Sequence, residues 1–412
     1  MPMEIISNNA AAASALNSLL HAVQEASLYD EGHHNDLDIH TFKHGDAQLH
    51  GLAATKTIKE DDVVFTVPAQ LLTHAKDLGG KRFQGEFTSP MGRVGLWLAE
   101  KRTELLSDKG AADLSPRDKV FADYLRTMPT LEDYRSAGLP VVASKAQLKH
   151  LKGLPHLDEI TRFAHEVQDM ASSDLAHYNS HRGDHAELKL EDVLWGDATA
   201  VKRTVNCGGT PFAMPLGDAL NYAPKGKANV EWACDLQNGR ILFSALHDIH
   251  KNDELTVDYS EGYTNVPETD RDVNLFKLYG IVDENVHPHP WSAADCKKIQ
   301  KMDFAHDSGP MLNLVEKLVA NRCPKHAPAG DDHPAAAPKV DHEHEVKKSE
   351  HPVSKEVHKK TWSEAVYDTF THPSKKKQQA IHPMVALVGP PPNLGQTAKR
   401  RQRRALESYA FL

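Results

Sequence analysis

The sequence is poor in several features that define large classes of protein. No apolar run approaches the ~20 residues that cross a bilayer, so the sequence predicts no membrane-spanning segment. The apolar stretch 10–20 has no basic leader, and it is typical of an amphipathic helix rather than a signal peptide. Acidic residues outnumber basic ones by 57 to 48, a net charge of -9, which argues against direct nucleic-acid binding by the chain as a whole.

Cysteine is also scarce. The 412 residues include four cysteines and no CxxC pair: Cys207, Cys234, Cys296 and Cys323. This spacing argues against a zinc ribbon and against a disulfide framework, so we expect a reducing compartment, the cytoplasm or the nucleus. The 26 histidines are scattered, with pairs such as His342 and His344 in charge-rich stretches, so we expect no metal site.

The composition changes sharply near the C-terminus. Residues 324–360 contain no Leu, Ile, Met, Phe, Tyr or Trp, so they cannot bury enough apolar surface to offset the entropy of folding. We therefore expect residues 324–412 to form a largely disordered tail. Within it, one short helix is predicted at 362–370, and a basic cluster at 399–404 is typical of a solvated tail or a nuclear-localisation signal.

Before this tail, strand-like segments flank a helical middle. Strands are predicted at 39–42, 49–55, 63–67, 230–234, 241–245 and 255–259. Between the two sets, Ser89 and Pro90 mark a helix start, and apolar stripes at 157–170 and 193–201 are typical of helices. Strands, then helices, then strands indicate an α+β fold with a helical insertion.

Three separated segments resemble one known family. Residues 44–68 (HGDAQLHGLAATKTIKEDDVVFTVP) contain a turn, a strand and an Ile-Lys-x-x-Asp-x-Val step. Residues 215–232 (PLGDALNYAPKGKANVEW) contain Asp-x-x-Asn and then an Asn-Val-x-Trp strand. Residues 244–285 contain Asp-Ile-x-Lys-x-Asp-Glu-Leu, a tyrosine and a Tyr-Gly ending. In this order and spacing they are similar to a SET domain, and the helical segments between them resemble the Rubisco large-subunit methyltransferase-like branch.

The resemblance implies a domain organisation. A SET-domain β-fold would span residues 35–285, with small sheets around a knotted C-terminal segment and a helical insertion at about 76–200. An N-terminal helical segment would occupy residues 1–34. Residues 286–323 would form a short helical remnant of a substrate-binding region, followed by the tail.

The resemblance also implies an activity, the transfer of a methyl group from S-adenosylmethionine (AdoMet) to a lysine of a non-histone protein. The expected partner is then a protein substrate, with no membrane and no nucleic acid. Two alternatives stay open. One is a protein-histidine methyltransferase. The other is a catalytically inactive SET module used for protein binding, which the departures from the family pattern at Leu49, Tyr222 and Ile281 favour.

Three residues are expected to act at the centre of the reaction. Tyr259, at the end of ELTVDY, matches the catalytic tyrosine of the family, whose hydroxyl orients the acceptor amine. Arg203 matches the position that pairs with the methionine carboxylate of AdoMet, a role that suits a guanidinium fork. Tyr279 matches an aromatic wall of the substrate lysine channel.

Three further residues are expected to bind the cofactor. Gly51 occupies the second glycine of a Gly-x-Gly turn, where a missing side chain lets the backbone approach AdoMet. Asn221 and Tyr222 occupy the Asn-His position that helps to bind the adenosine half. Tyr222 departs from the histidine of the family, so a backbone contact to adenine is the form of binding that would tolerate it.

Overall fold

A computed structural model describes most of the chain before the tail. The described residues are 10–26, 34–44, 47–85, 88–107, 114–149, 151, 157–207, 210–224, 226–235, 240–259, 271–283, 290–300 and 309–323. The predicted tail, with its short helix and its basic cluster, lies outside them. No helix in the described ranges combines the length and the apolar character that crossing a bilayer requires.

Helices occupy the beginning, the middle and the end of the described chain, and strands lie on both sides of the middle helices. The helices are α1 Ala10–Ala26, α2 Pro90–Leu105, α3 Pro116–Thr127, α4 Leu131–Ser136, α5 Lys145–Lys149, α6 Asp158–His181, α7 Leu190–Arg203, α8 Arg271–Tyr279, α9 Ala293–Gln300 and α10 Pro310–Arg322. The strands are β1 Leu37–His44, β2 Ala47–Ala54, β3 Val63–Val67, β4 Thr73–His74, β5 Thr204–Cys207, β6 Thr210–Ala213, β7 Asn221–Tyr222, β8 Val230–Asp235, β9 Arg240–Ala245 and β10 Thr256–Val257. This order confirms the predicted α+β class, although the strand predicted at 255–259 is shorter than expected.

Local sequence signals set where the middle helices begin. Ser89 caps α2, as predicted, because its Oγ accepts a hydrogen bond from the backbone N–H of Gly92 at 2.9 Å. Proline in the first turn then supplies a helical φ without losing a needed donor. In α4, Thr130 and Asp133 form a reciprocal capping box. These caps direct the apolar faces of the helices towards one core.

Short sheets, rather than one continuous sheet, form the β part. Within the described residues, β3-β9-β8 and β4-β6-β5 are antiparallel three-stranded sheets, and β1 pairs with β2. Phe65 on β3 stacks on Phe243 of β9, with ring centroids 4.2 Å apart, so a buried aromatic pair fixes this register. The predicted pairing of β8 with β9 is confirmed, and their Asn238-Gly239 turn lies outside the described residues.

The segment 252–257 passes between two strands that are far apart in sequence. On one side, the N–H of Ala54 donates to the carbonyl of Asp253 at 3.1 Å, and the N–H of Leu255 donates to the carbonyl of Leu52 at 2.8 Å. On the other side, β10 pairs in parallel with β7. This pairing brings β2, β7 and β10 together.

The C-terminal helices add a second apolar cluster. Leu148 of α5, Ile160 of α6, Phe276 of α8 and Leu318 of α10 are buried members of this cluster. The cluster also includes Ile299 of α9. Burial of side chains that are distant in sequence therefore holds α9 and α10 against the rest of the chain.

A disulfide joins α9 to the end of α10, contrary to expectation. Cys296 and Cys323 are bonded, with 5.6 Å between their Cα atoms, and Cys234 is disulfide-bonded as well. The prediction that the cysteines form no disulfide framework is therefore wrong. These partners are 27 residues apart and meet through tertiary packing, which a CxxC search cannot detect. The expected absence of disulfides was the reason to predict a location in the cytoplasm or nucleus. That location no longer has this support, and it stays a prediction.

Helices α2 and α7 cross so closely that only glycine fits at the contact. A Cβ on Gly196 would lie 2.2 Å from the carbonyl oxygen of Gly95, and a Cβ on Gly95 would lie 2.3 Å from Oδ1 of Asp197. Asp197 is buried there, and its Oδ1 has no hydrogen-bond partner within the described chain. Burial, with the nearby Asp174, raises the pKa of the Asp197 carboxyl well above its ordinary value.

Replacing Asp197 by Asn should therefore stabilise the protein at neutral pH. When the pKa of an acid is higher in the folded state than in the unfolded state, its ionisation favours unfolding. This loss of stability begins above the unfolded pKa of about 4 and grows as the pH rises towards the folded pKa. We expect Asp197→Asn to raise the free energy of unfolding by about 1 kcal/mol or more at about pH 7, with no gain at about pH 4. Urea denaturation at both pH values measures this difference.

The matched control is Asp184→Asn, since Asp184 is an exposed aspartate in the loop after α6. It should change the unfolding free energy at neither pH. An equal gain for Asp197→Asn at both pH values would show that its ionisation is not the cause.

Candidate active site

Arg203, the last residue of α7, is buried beside an acidic partner. Its Nη1 lies 3.4 Å from Oδ2 of Asp218, which follows β6 in a single 3-10 turn. The hydroxyl of Tyr124 donates to the same carboxylate oxygen at 2.7 Å. The other edge of the guanidinium, Nε and Nη2, is buried and has no hydrogen-bond partner among the residues that the structure describes. Two parallel N–H donors on one edge are the geometry that binds a carboxylate.

The charged side chains around Arg203 are buried. Burial raises the pKa of the Asp218 carboxyl, and the neighbouring guanidinium opposes that shift. Next to Arg203 on α7, burial and the positive charge of Arg203 lower the pKa of Lys202 well below its ordinary value. Lys202 Nζ donates to the backbone carbonyl of Tyr279 at 3.4 Å, so it ties α7 to the end of α8. A guanidinium stays charged in such a setting, and an amine does not.

A second polar cluster lies where β2, β7 and the segment before β10 meet. We call it the Glu254 cluster; its members are Gly51, Asn221, Glu254 and His44. Asn221 Nδ2 donates to Oε1 of Glu254 at 2.7 Å and to the backbone carbonyl of His50 at 3.1 Å. His44 Nε2 donates to the same carboxylate, 2.8 Å from Oε2. Asn221 Oδ1 is buried and has no partner in the described chain.

Gly51 is required by this cluster, although not in the way expected. The prediction of a turn is wrong, because Gly51 lies inside β2 opposite His40. A Cβ at this position would lie 2.8 Å from Asn221 Nδ2 and 2.9 Å from Glu254 Oε1. Glycine therefore allows the close approach of these two side chains, and its expected contact with AdoMet stays a prediction.

Three tyrosine rings form an aromatic group beside the Glu254 cluster. The ring of Tyr259 lies 5.5 Å from that of Tyr222 and 5.0 Å from that of Tyr279. Its hydroxyl donates to the backbone carbonyl of Leu220 at 2.7 Å. Burial raises the pKa of Tyr259 well above its ordinary value, and Arg203 opposes that shift. The hydroxyl is therefore protonated at neutral pH, with its proton directed to Leu220.

The Tyr222 side chain is anchored through its hydroxyl group, at the end of the ring that is farther from the backbone of β7. Its hydroxyl donates to Oδ2 of Asp283, after α8, at 3.0 Å. Burial, and then the negative charge of Asp283, raise the pKa of Tyr222 well above its ordinary value. Nearby, Arg271 at the start of α8 is paired with Asp258, the neighbour of Tyr259. These contacts hold the ends of α8 against Tyr222 of β7 and against the residues that follow β10.

The sequence-predicted site residues converge in the structure. They are Gly51, Arg203, Asn221, Tyr222, Tyr259 and Tyr279. Asn221 lies beside Gly51 and is followed in β7 by Tyr222, whose ring lies beside that of Tyr259. The Tyr259 ring in turn lies beside that of Tyr279, and the charge of Arg203 acts on Tyr259. Residues that are up to about two hundred positions apart therefore share one polar and aromatic site.

Sequence reasoning missed three polar residues of this site: His44, Asp218 and Glu254. Asp218 is the aspartate of the recognised Asp-x-x-Asn motif, so the motif itself contained the partner of Arg203. Glu254 precedes a run of buried residues, and a charge next to a buried strand is a usable signal. His44 offers no such signal, because its contact spans 210 positions.

One further group could bring three metal-ligating atoms together among the described residues. Glu100, Glu104 and His185 have ligand atoms within 4.8 Å of one another. Both carboxylate oxygens of Glu100 already accept hydrogen bonds from Arg82, and one also accepts the Tyr178 hydroxyl. These contacts explain the group as a structural link between α2 and the end of α6.

Comparisons with known proteins give a family and a set of structural likenesses. A family model for the SET domain matches residues 50–260, just over half of the chain. No curated protein sequence matches the chain. The similar solved structures include Rubisco LSMT bound to AdoMet, with 16% identity, a TM-score of 0.46, and 66% of this chain and 58% of that chain covered.

Two other similar structures carry related descriptions. The SET domain of LSMT bound to lysine and AdoHcy has 14% identity and a TM-score of 0.47, with 68% of this chain and 59% of that chain covered. Rubisco LSMT bound to sinefungin and monomethyllysine has 14% identity and a TM-score of 0.45, with 73% and 70% covered. The chain thus spans a little under three fifths of the length of the first two.

The fit around Gly51 gives a direct test of the Glu254 cluster. Gly51→Ala should lower the free energy of unfolding by about 1–3 kcal/mol, because the added Cβ overpacks Asn221 and Glu254. Chemical denaturation measures the loss. Gly79→Ala is the matched control, since no atom lies within 4 Å of its added Cβ, and it should leave stability nearly unchanged. Equal stabilities of the two variants would contradict the packing described here.

Proposed function

Because this chain belongs to the SET-domain family, we propose that it is an AdoMet-dependent protein-lysine N-methyltransferase. AdoMet, when bound, supplies an electrophilic methyl group on a sulfonium. The chain must then hold that cofactor, desolvate the acceptor lysine and orient its nitrogen. Each of these tasks has a candidate among the residues of the site, and their arrangement supports the proposal.

The observation that carries the proposal is the buried free edge of Arg203. Nε and Nη2 are donors without a partner in the described chain, although Nη1 faces Asp218. Burying charged donors without acceptors is unfavourable, so this edge favours a ligand with two anionic oxygens. The methionine carboxylate of AdoMet has that chemistry. Asn221 Oδ1 adds a buried acceptor without a partner in the described residues, which suits an N–H donor of the same molecule.

Tyr259 is suited to orient the acceptor amine. Since its proton is donated to the Leu220 carbonyl, the hydroxyl oxygen keeps its lone pairs for an N–H of the incoming amine. A hydrogen bond at that oxygen directs the nitrogen lone pair of lysine towards the methyl group. Positioning of this kind, rather than proton abstraction, is the role that a neutral phenol fulfils.

The aromatic group supports a lysine as the acceptor. The rings of Tyr222, Tyr259 and Tyr279 offer an apolar path for the lysine stem, and they exclude water from its head group. Desolvation lowers the pKa of an amine, so it favours the neutral form that has a lone pair. The substrate is then a protein, and a non-histone protein remains our proposal.

Arg203→Lys should weaken AdoMet binding. Lysine keeps the positive charge beside Asp218 but loses the two parallel donors, so we expect affinity to fall by about tenfold or more in a calorimetric titration. Arg162→Lys, on the exposed face of α6, is the matched control and should bind AdoMet as the native chain does. Unchanged affinity in Arg203→Lys would remove Arg203 from the site. A folded native chain that binds no AdoMet would contradict the proposed function.

Tyr259→Phe should lower turnover while leaving the fold intact. Phenylalanine keeps the ring contacts but removes the oxygen that orients the amine, so kcat should fall by about tenfold or more with little change in AdoMet affinity. Mass spectrometry of a methylated protein substrate gives the rate and the modified atom. Methyl groups on imidazole would support the histidine alternative, and unchanged kcat would exclude Tyr259 from the reaction.

A further inference from the structure

Lys202, near the C-terminal end of α7, is a buried lysine that the proposed chemistry does not yet use. It is 9% exposed, and within the described chain it forms no ion pair with a carboxylate. Burial and the positive charge of Arg203 both lower its pKa. A buried amine without a nearby anion is unfavourable for folding, so its presence needs another explanation.

The contact that Lys202 makes lies at the end of α8. Its Nζ donates to the backbone carbonyl of Tyr279 at 3.4 Å. Tyr279 is the last residue of α8, and the last carbonyls of a helix have no partner within that helix. The chain leaves the helix directly afterwards, because Gly280 has a left-handed φ of 65°. Lys202 therefore holds the main chain at the point where α8 ends.

A rigid aromatic ring supports the amine from another side. The Nζ of Lys202 lies 5.5 Å from the ring centroid of Tyr134 in α4, and the face of an aromatic ring attracts such a group. Tyr134 is fully buried, and its hydroxyl lies 3.2 Å from Oγ1 of Thr199, one turn earlier on α7. The direction of the Lys202 side chain is thus fixed at both the ring and the carbonyl.

We infer that Lys202 is a positioning residue, which holds Tyr279 against Tyr259 and so shapes the path of the acceptor lysine. This inference rests on the proposed function. The rings of Tyr279 and Tyr259 lie 5.0 Å apart, and Lys202 holds the first of them through its main chain. The next residue, Arg203, pairs with Asp218 instead. The end of α7 therefore contributes one side chain to the cofactor and its neighbour to the acceptor.

Lys202→Met tests this role, because methionine keeps an apolar stem and removes the N–H donors. We expect kcat/KM for the protein substrate used with Tyr259→Phe to fall by about tenfold, mainly through a higher KM, since the Tyr279 wall is no longer held. AdoMet affinity in a calorimetric titration should stay within about twofold of the native value. The midpoint of urea denaturation should be unchanged or higher, because an unpaired buried amine has been removed.

Lys119→Met, on the exposed face of α3, is the matched control and should change none of these three quantities. A double-mutant cycle with Tyr279→Ala then tests whether Lys202 acts through Tyr279. This variant removes the ring and keeps the carbonyl, so Lys202→Met should cause little further loss of kcat/KM in its background.

Three results would overturn the inference. One is unchanged kcat/KM in Lys202→Met. Another is a joint loss of stability and AdoMet affinity in that variant, which is the result that a purely structural role would give. The third is additive losses of kcat/KM in the cycle. In each of these cases methyl transfer by the native chain would leave the proposed function intact. Absence of AdoMet binding by the folded native chain would overturn the proposed function, and this inference with it.

Discussion

The candidate site depends on the main-chain hydrogen bonds of residues 252–257. These residues bond to β2 on one side and to β7 on the other. Without this insertion, Gly51 and Asn221 would belong to separate sheets, and Glu254 would not lie between them. The same segment leads directly into Tyr259. One short extended stretch therefore determines the positions of groups that come from three distant parts of the sequence.

Helix α7 imposes a second constraint, because it brings charge into the protein interior. Lys202 and Arg203 are both buried at its C-terminal end, where the helix dipole favours positive charge. The two side chains differ in charge state because their surroundings differ. Arg203 has the Asp218 carboxylate within reach and stays charged, whereas burial beside Arg203 shifts Lys202 towards its neutral form. A guanidinium keeps its charge in such a setting and an amine does not, which is why we propose the carboxylate-binding role for Arg203 and not for its neighbour.

The sequence predicted the elements of the fold better than their contacts. The cap at Ser89, the strand at Val63–Val67 and the pairing of β8 with β9 follow from local patterns, and the structure has them. Arg203 and Tyr259 were selected because their neighbours along the chain match a motif, and their roles stay predictions. The misses are contacts between distant residues. Cys296 with Cys323, and His44 with Glu254, depend on how elements pack, and no periodicity or local spacing encodes that packing.

The departures from the family pattern have structural explanations that leave the centre of the site intact. Leu49 and Ile281 are buried, so their larger or different side chains fill protein interior. Tyr222 is longer than the histidine it replaces, and Asp283 accepts its hydroxyl while its ring packs beside Tyr259. These departures were the reason to consider an inactive binding module. A chain that had lost its chemistry would have no need to keep two buried groups, the free edge of Arg203 and Asn221 Oδ1, without partners in the described structure. Their desolvation is unfavourable in the absence of a ligand, so the site favours a bound ligand, which supports our proposal of a methyltransferase.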